Sequence, residues 1–292
     1  MTKVLIFGTT GMLGHKLYQV LAPVFDVTGT IRGSYRDVSK YGIFNQSSIV
    51  PGVDAFDISR VEKAIEETTP DVLINCAGTV KSLVEREGIL STIWLNALFP
   101  HQLDQICQTR GIRLIHISTD CVFSGNEGNY REDDPSDAED IYGKTKYLGE
   151  VRNSGALTIR TSFIGRELAG SYGLLEWFLS NRGGEVPGYT NAVFNGFPTL
   201  HLSRIIADII KYHQQFSGIY HISSEPINKF KLLTLINKAM GLNIMIKEYP
   251  GYHVDRSLDS SLYREKTGFT PSSWEQMVQE LAGDAMQHLN WR

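Results

Sequence analysis

Seven residues near the amino terminus constrain this 292-residue chain more than any others. The apolar run Val4-Leu5-Ile6-Phe7 leads straight into Gly8-Thr9-Thr10-Gly11-Met12-Leu13-Gly14, and an amphipathic stretch follows to Leu21. A strand that turns into a helix within so few residues needs glycine where the backbone bends and where helix and strand touch. Three glycines at this spacing serve a tight turn, close approach of a pyrophosphate to the backbone, and close packing of helix on strand. The helix N-terminus adds free N–H groups and a partial positive charge for an anion. A flexible β-turn would use the same glycines. The strand before and the helix after them favour the phosphate-binding reading, with Gly8, Thr10, Gly11, Met12, Leu13 and Gly14 as cofactor-binding positions.

The pattern set by this first unit repeats. β-rich runs at Val4–Phe7, Val27–Ile31, Val72–Asn75, Leu114–Ile117 and Leu157–Arg160 alternate with amphipathic stretches at Leu13–Leu21, Val61–Glu67 and Ile93–Thr109. Strand-helix alternation implies a parallel sheet, and strands that read as unbroken apolar runs are covered on both faces. After Arg160 the pattern loosens into a segment rich in glycine and aromatics. Helical periodicity returns at Leu202–Tyr212, Phe230–Met240 and Trp274–Leu281, and strand-like runs at Gly218–Ile222 and Asn243–Glu248. The expected fold class is α/β: a Rossmann-type doubly wound parallel sheet with a smaller C-terminal α+β substrate lobe. The dinucleotide-binding domain is expected at 1–162 plus about 196–222, and the lobe at about 163–195 plus 223–292, with a ligand cleft between them.

Composition removes several classes of function. Lys plus Arg total 28 against 32 for Asp plus Glu, a net charge of -4 that offers no basic excess for a nucleic-acid backbone. Cys76, Cys107 and Cys121 lack CxxC spacing, so neither a disulfide scaffold nor a thiolate zinc site is expected, and a reducing compartment is the default. The His residues form no H-x-x-x-H pair. The acidic run Glu132-Asp133-Asp134 with Asp137, Glu139 and Asp140 lacks regular ligand spacing, so it reads as a solvated loop and no metal is expected. No apolar run reaches the roughly 18 residues that span a bilayer, and Lys3–Phe7 runs into glycines without a cleavage pattern. A cytoplasmic protein with no membrane partner is the expectation.

The second strand should choose between nicotinamide cofactors, through an acidic residue for a ribose 2′-hydroxyl or an arginine for a 2′-phosphate. It ends Gly29-Thr30-Ile31-Arg32, with Asp26 at its other end. NADPH is therefore expected, with Arg32 against the phosphate and NADH as the alternative; Arg32 as a solvated surface cation remains open. Further along, Tyr142-Gly143-Lys144-Thr145-Lys146 puts Tyr142 and Lys146 one helical turn apart on one face. An ammonium beside a phenol favours the phenolate and should lower its pKa from about 10, making Tyr142 an acid or base. An exposed helix with lysines reaching to solvent would show the same spacing. What separates the two readings is the strand end Ile117-Ser118-Thr119-Asp120-Cys121-Val122-Phe123, because active sites of doubly wound sheets lie at the carboxyl edge.

These motifs in this order resemble the extended short-chain dehydrogenases/reductases, and within them the dTDP-4-dehydrorhamnose reductases. The likeness is carried by Gly8–Gly14, Asp71-Val72-Leu73-Ile74-Asn75-Cys76-Ala77-Gly78, Asn96-Ala97, Ser118–Phe123 and Tyr142–Lys146 with Leu148-Gly149-Glu150. Arg160-Thr161-Ser162, Phe197-Pro198-Thr199, Arg256 and Leu258-Asp259 extend it over nearly the whole chain. The resemblance implies Thr119 as catalytic hydroxyl, Tyr142 as proton donor, and Lys146 as the residue that binds the nicotinamide ribose and tunes the tyrosine. It implies NADPH-dependent reduction of the C4 ketone of a nucleotide-diphosphate 4-keto-6-deoxysugar in surface polysaccharide synthesis, and it allows a homodimer.

Among cofactor positions it adds Asp57 and Ile58 at the adenine, Cys76-Ala77-Gly78 under the cofactor, Asn96 ordering the catalytic helix through water, and Ser162. Their structural alternatives are a helix N-cap, a tight turn and a buried amide satisfied by backbone. Asp120, Cys121, Phe163 and Arg256 are the substrate candidates, with Trp177 and Tyr189 as further aromatics. One departure concerns Cys121, where an aromatic residue is expected; GDP-fucose synthases carry a cysteine there as an epimerisation acid/base. An epimerase or epimerase-reductase is thus one alternative, with a packed, inert thiol as its structural counterpart. A non-catalytic NADP-binding regulatory subunit is another.

Overall fold

In the computed structural model, which describes residues 1–153 and 155–287, the glycine loop sits where the sequence puts it, between Lys3–Phe7 (β1) and Met12–Leu21 (α1). Five further strands follow the first: Asp26–Thr30 (β2), Ile49–Val50 (β3), Val72–Asn75 (β4), Arg113–Ile117 (β5) and Ala156–Arg160 (β6). With Gly218–His221 they form a seven-stranded sheet, ordered Gly218–His221, β6, β5, β4, β1, β2, β3, in which every pairing is parallel. β3, only two residues long, has no period to read and was not anticipated.

Alternate residues of each strand feed two separate cores, which explains the unbroken apolar runs. Val4, Ile6, Ile74, Ile115 and Ile159 face one core with Leu13, Leu17 and Leu21 of α1 and Ile205, Ile206 and Ile209 of the helix Thr199–Tyr212. Leu5, Phe7, Leu73, Leu114 and Ala156 face the other, with Val61 and Ile65 of the helix Ile58–Thr68 and Phe99 and Leu103 of the helix Phe99–Arg110. The chain runs from β1 outward to β2 and β3, then returns to β4 on the other side of β1. That reversal opens a crevice above the carboxyl ends of β1 and β4.

The remaining elements form two smaller sheets. Glu185–Phe194 pairs parallel with Met245–Asp255 and antiparallel with Ile227–Asn228, and Phe163–Ile164 pairs with Phe197–Pro198. The strand expected at Asn243–Glu248 starts two residues later and continues to Asp255, its register shifting between Tyr249 and His253 around Pro250-Gly251. The helix expected from Ile93 to Thr109 begins at Ile89 and is interrupted by a π-helical turn at Trp94–Leu98. The last helix, Trp274–Gln287, docks on α1 through a Lys16–Asp284 ion pair of 2.6 Å. Residues 288–292 of the expected lobe lie outside the described residues. No helix among the described residues is long and apolar enough to cross a membrane.

Candidate active site

The crevice is lined first by the glycine loop. Gly8 has φ 79°, and a Cβ there would lie 2.7 Å from the Ala77 nitrogen; a Cβ on Gly14 would run into the Gly8 carbonyl. Both positions are closed to any larger residue. Gly11 N–H donates to the Gly8 carbonyl at 2.9 Å, and buried Thr9 donates its hydroxyl to Ile6 O at 2.8 Å. That leaves Thr10 and Gly11 exposed and Met12 half-buried, at a helix N-terminus without a side-chain cap. Leu13 turns its side chain into the core, so its backbone alone faces the loop. A cradle of this shape, with an uncapped helix dipole, fits a pyrophosphate.

The opposite wall is the segment after β4. Asn75 accepts the Ala77 N–H at 3.1 Å, and fully buried Asn96 brackets Thr79, accepting its N–H at 2.9 Å and donating to its carbonyl at 3.1 Å. Asn96 also donates to the Thr145 hydroxyl at 3.3 Å. Asn96, within the π-helical turn Trp94–Leu98, thus reaches the helix Ile141–Leu148 by a direct contact. A Cβ on Gly149 would strike the Asn96 carbonyl, so the chain after the helix Ile141–Leu148 packs tightly here.

That helix, Ile141–Leu148, starts at Asp140, which accepts the Gly143 N–H at 2.8 Å and pairs with Lys81 at 2.6 Å. The acidic run before it serves the same kind of purpose. Glu132 accepts the His221 N–H, Asp134 the Arg131 N–H and Asp137 the Ser124 N–H. No group of metal-ligating side chains forms among the described residues.

Thr119, Tyr142 and Lys146 come together at the carboxyl end of β5. Thr119 accepts the Cys121 N–H at 3.1 Å and donates to Asp120 Oδ1 at 3.0 Å, with Tyr142 beside it. Lys146 is buried and donates to Ile117 O at 2.7 Å. Burial pushes the Tyr142 phenol well above its usual pKa, reinforced by Cys121, Asp120 and Asp140 and opposed by Thr119. Burial brings Lys146 down to about 8, with Glu150 and Cys76 pulling the other way. The lowering of Tyr142 expected from Lys146 is not found here: burial is the dominant influence on the phenol and raises it, while one N–H of Lys146 goes to a backbone carbonyl. A phenol held neutral is an acid rather than a base.

Around this centre, Arg256 donates Nε to Phe123 O at 2.8 Å. Asp120 is half-buried, its carboxyl raised by burial and pulled back by the Thr119 hydrogen bond and by Arg256 and Lys229. Cys121 is pushed up to about 12, first by burial and then by Asp120. Lys229, at the start of the helix Lys229–Met240, is the residue that sequence reasoning missed; burial lowers its pKa, while Asp120 and Cys121 raise it. No local pattern marks it, because the fold carries it to the site from a distant segment. Phe163 packs on the main core, and Ser162 accepts the Phe197 N–H through its carbonyl. Trp177 is partly exposed, and Tyr189 packs against Tyr249 and Tyr252.

Two cofactor candidates lie at the far side of the crevice. Arg32 is exposed directly after β2. Asp57 caps the helix Ile58–Thr68, accepting from Ser59 Oγ at 2.6 Å and Arg60 N at 3.0 Å, and these bonds hold its carboxyl below the usual value. The helix-cap alternative is what the geometry displays for Asp57; Ile58 packs beside the second core. A cavity of about 960 Å³ lies at the amino-terminal edge of the sheet, bordered by Met1, Asp71, Asp104, Arg113 and Gln214, and takes no part in this site.

Compared with known proteins, the chain matches the RmlD substrate binding domain family over residues 1–286. The spore coat polysaccharide biosynthesis protein SpsK of Bacillus subtilis is 27% identical over 303 aligned residues, covering 96% of each chain. A dTDP-4-dehydrorhamnose reductase of Streptomyces griseus is 34% identical over 148 residues, 50% of this chain and 43% of the relative. Among solved structures, a hypothetical dTDP-4-dehydrorhamnose reductase from Sulfolobus tokodaii superposes with a TM-score of 0.76 at 25% identity, covering 94% of this chain and 98% of the other.

Proposed function

The chain belongs to the RmlD substrate-binding domain family, and from that premise we propose that it is an NADPH-dependent reductase of the C4 ketone of a nucleotide-linked 4-keto-6-deoxysugar, acting in the cytoplasm in surface polysaccharide synthesis. The observation that carries this reading is the meeting of Thr119, Tyr142 and Lys146 at the carboxyl end of β5, across the crevice from the Gly8–Gly14 cradle. Bound NADPH supplies the hydride. The first turn of α1 receives the pyrophosphate, and Lys146 holds the ribose. Tyr142 donates its proton to the C4 oxygen as negative charge grows there, a task suited to a phenol that burial keeps neutral. Arg256, with Lys229 near it, meets the diphosphate of the sugar nucleotide.

The alternatives fare less well on these observations. A thiol raised to about 12 is a poor acid/base near neutrality, which favours the packed reading of Cys121 over epimerisation. A purely regulatory NADP-binding subunit has no use for three converging catalytic groups.

The reading is tested with a panel of enzymatically made 4-keto nucleotide sugars, following loss of the NADPH absorbance and identifying products by NMR. In that assay Arg32→Glu should lower kcat/KM for NADPH by about 10–100-fold, the worth of a hydrogen bond to a charged group, and spare NADH. A tenfold or larger wild-type preference for NADH, or an Arg32 variant with unchanged selectivity, contradicts the role given to Arg32.

A further inference from the structure

We propose that His116 is a positioning residue for the cofactor cradle: its Nδ1 fixes the Asn75 amide, and through it the backbone bend at Cys76-Ala77 that meets Gly8. The inference rests on the reading of Gly8–Gly14 as a dinucleotide cradle. His116 on β5 and Asn75 on β4 lie opposite each other in the parallel register, and both are fully buried. By strand alternation their side chains share the face of Leu73 and Leu114. Asn75 Nδ2 and His116 Nδ1 are 3.2 Å apart.

The backbone decides which way these groups point. Asn75 Oδ1 accepts the Ala77 N–H at 3.1 Å, and a backbone amide nitrogen can only donate. The amide oxygen is therefore on the Ala77 side and the NH2 on the His116 side. An NH2 also only donates, so His116 Nδ1 is the acceptor and the ring proton sits on Nε2. The other tautomer, or an imidazolium, would set two donors against each other. Burial first, then Lys146 and His101, hold the ring well below its ordinary pKa, which keeps it neutral. Nε2 is buried without a hydrogen-bond partner, so Nδ1 is the one engaged polar atom of the ring.

What this chain of bonds secures is the place where the two walls of the crevice touch. The Ala77 nitrogen and the Cys76 carbonyl oxygen lie 2.7 and 2.9 Å from where a Gly8 Cβ would stand. A bend held in place before the cofactor arrives uses none of the binding free energy to order it. Without the lock, the bend samples other arrangements, and affinity falls with the fraction of molecules that hold the competent one.

Histidine 15N NMR of the full wild-type chain should show His116 with Nδ1 unprotonated and Nε2 protonated, unchanged between about pH 6 and 8. His116→Asn keeps an acceptor at the place of Nδ1, whereas His116→Leu has none. In titrations followed by NADPH fluorescence, His116→Leu should weaken binding about tenfold, the worth of one hydrogen bond, and His116→Asn should recover most of that loss. A packing role alone reverses the order, because Leu suits an apolar interior better than Asn. A protonated Nδ1 in wild type, unchanged NADPH affinity in His116→Leu, or an Asn variant that binds no better than the Leu variant overturns the lock. Should His116→Asn fail to fold, the wild-type tautomer and the His116→Leu affinity decide. Wild-type protein that binds no NADPH overturns the cradle reading and the lock together.

Discussion

Tyr142→Phe should lower kcat by about 10²–10⁴-fold, the usual worth of general acid assistance at a carbonyl oxygen. The variant loses one hydroxyl and no packing volume. Its structural cost is that of one lost hydroxyl, about 1 kcal/mol, too little to unfold a domain. The deficit should therefore fall on kcat, with KM for the sugar nucleotide nearly unchanged and the melting temperature close to wild type. The pH profile separates the roles of phenol and ammonium. Because burial holds Tyr142 above its ordinary pKa, the phenol stays protonated through the neutral range and does not set the basic limb. Lys146, brought down to about 8, does. It is charged below that value and neutral above it, so kcat/KM for NADPH should fall as pH rises past about 8. A Tyr142→Phe variant with activity near wild type would remove the tyrosine from the mechanism.

The second large effect is on stability. Arg160 is fully buried at the end of β6 and grips Glu150 with two bonds, Nε to Oε1 at 2.6 Å and Nη2 to Oε2 at 2.8 Å. Its Nη1 contacts Glu132 O at 3.3 Å and His221 Nε2 at 3.1 Å, and its guanidinium lies 5.1 Å from the centre of the Phe123 ring. Glu150 also accepts the Ser118 hydroxyl at 3.0 Å and pairs with Arg152 at 3.2 Å. Removing one partner strands a charge in the interior, so Arg160→Met should cost about 3–5 kcal/mol in urea unfolding. That is a large part of a total stability of about 5–15 kcal/mol. Arg160→Met combined with Glu150→Leu should lose clearly less than the sum of the single changes, because no buried charge is left alone. Additive losses would contradict the pairing.

His221, in the same cluster, adds a pH dependence. Burial first and Arg160 second bring it down to about 3 in the folded protein. The unfolded chain binds that proton at the ordinary value near 6.5. The unfolded state therefore holds more protons between those values, and stability falls as pH drops below about 6.5. The same cluster reaches the active site, since Glu150 raises the Lys146 pKa. Glu150→Gln should move the basic limb of the activity profile to lower pH.

What could be read from the sequence is what local chemistry determines. The strand, glycine loop and helix of residues 3–21 are contiguous, so spacing alone reveals them. Tyr142 and Lys146 share a helix face, and Thr119 follows an apolar strand. The strand Glu185–Phe194 was hidden because Pro187 and Gly188 disrupt its pattern, and the helix Leu174–Ser180 because glycines surround it. Lys229 reaches the site only through tertiary packing. The family resemblance marks Asn96, but the π-helical turn that carries it leaves no mark in the periodicity. The direction of the Tyr142 shift was misread for a related reason: sequence shows a lysine four residues away, whereas burial depends on everything packed around the phenol.

The central claim is that this crevice delivers a hydride and a proton to one ketone. Its most direct test uses NADPH deuterated at C4 of the nicotinamide, a 4-keto-6-deoxy nucleotide sugar and the wild-type protein, with the product examined by NMR. The account predicts deuterium at sugar C4 and none at C3 or C5, with the label absent when Tyr142→Phe replaces wild type over the same interval. A product labelled elsewhere, or a ketone left intact while wild-type protein binds both ligands, would contradict it.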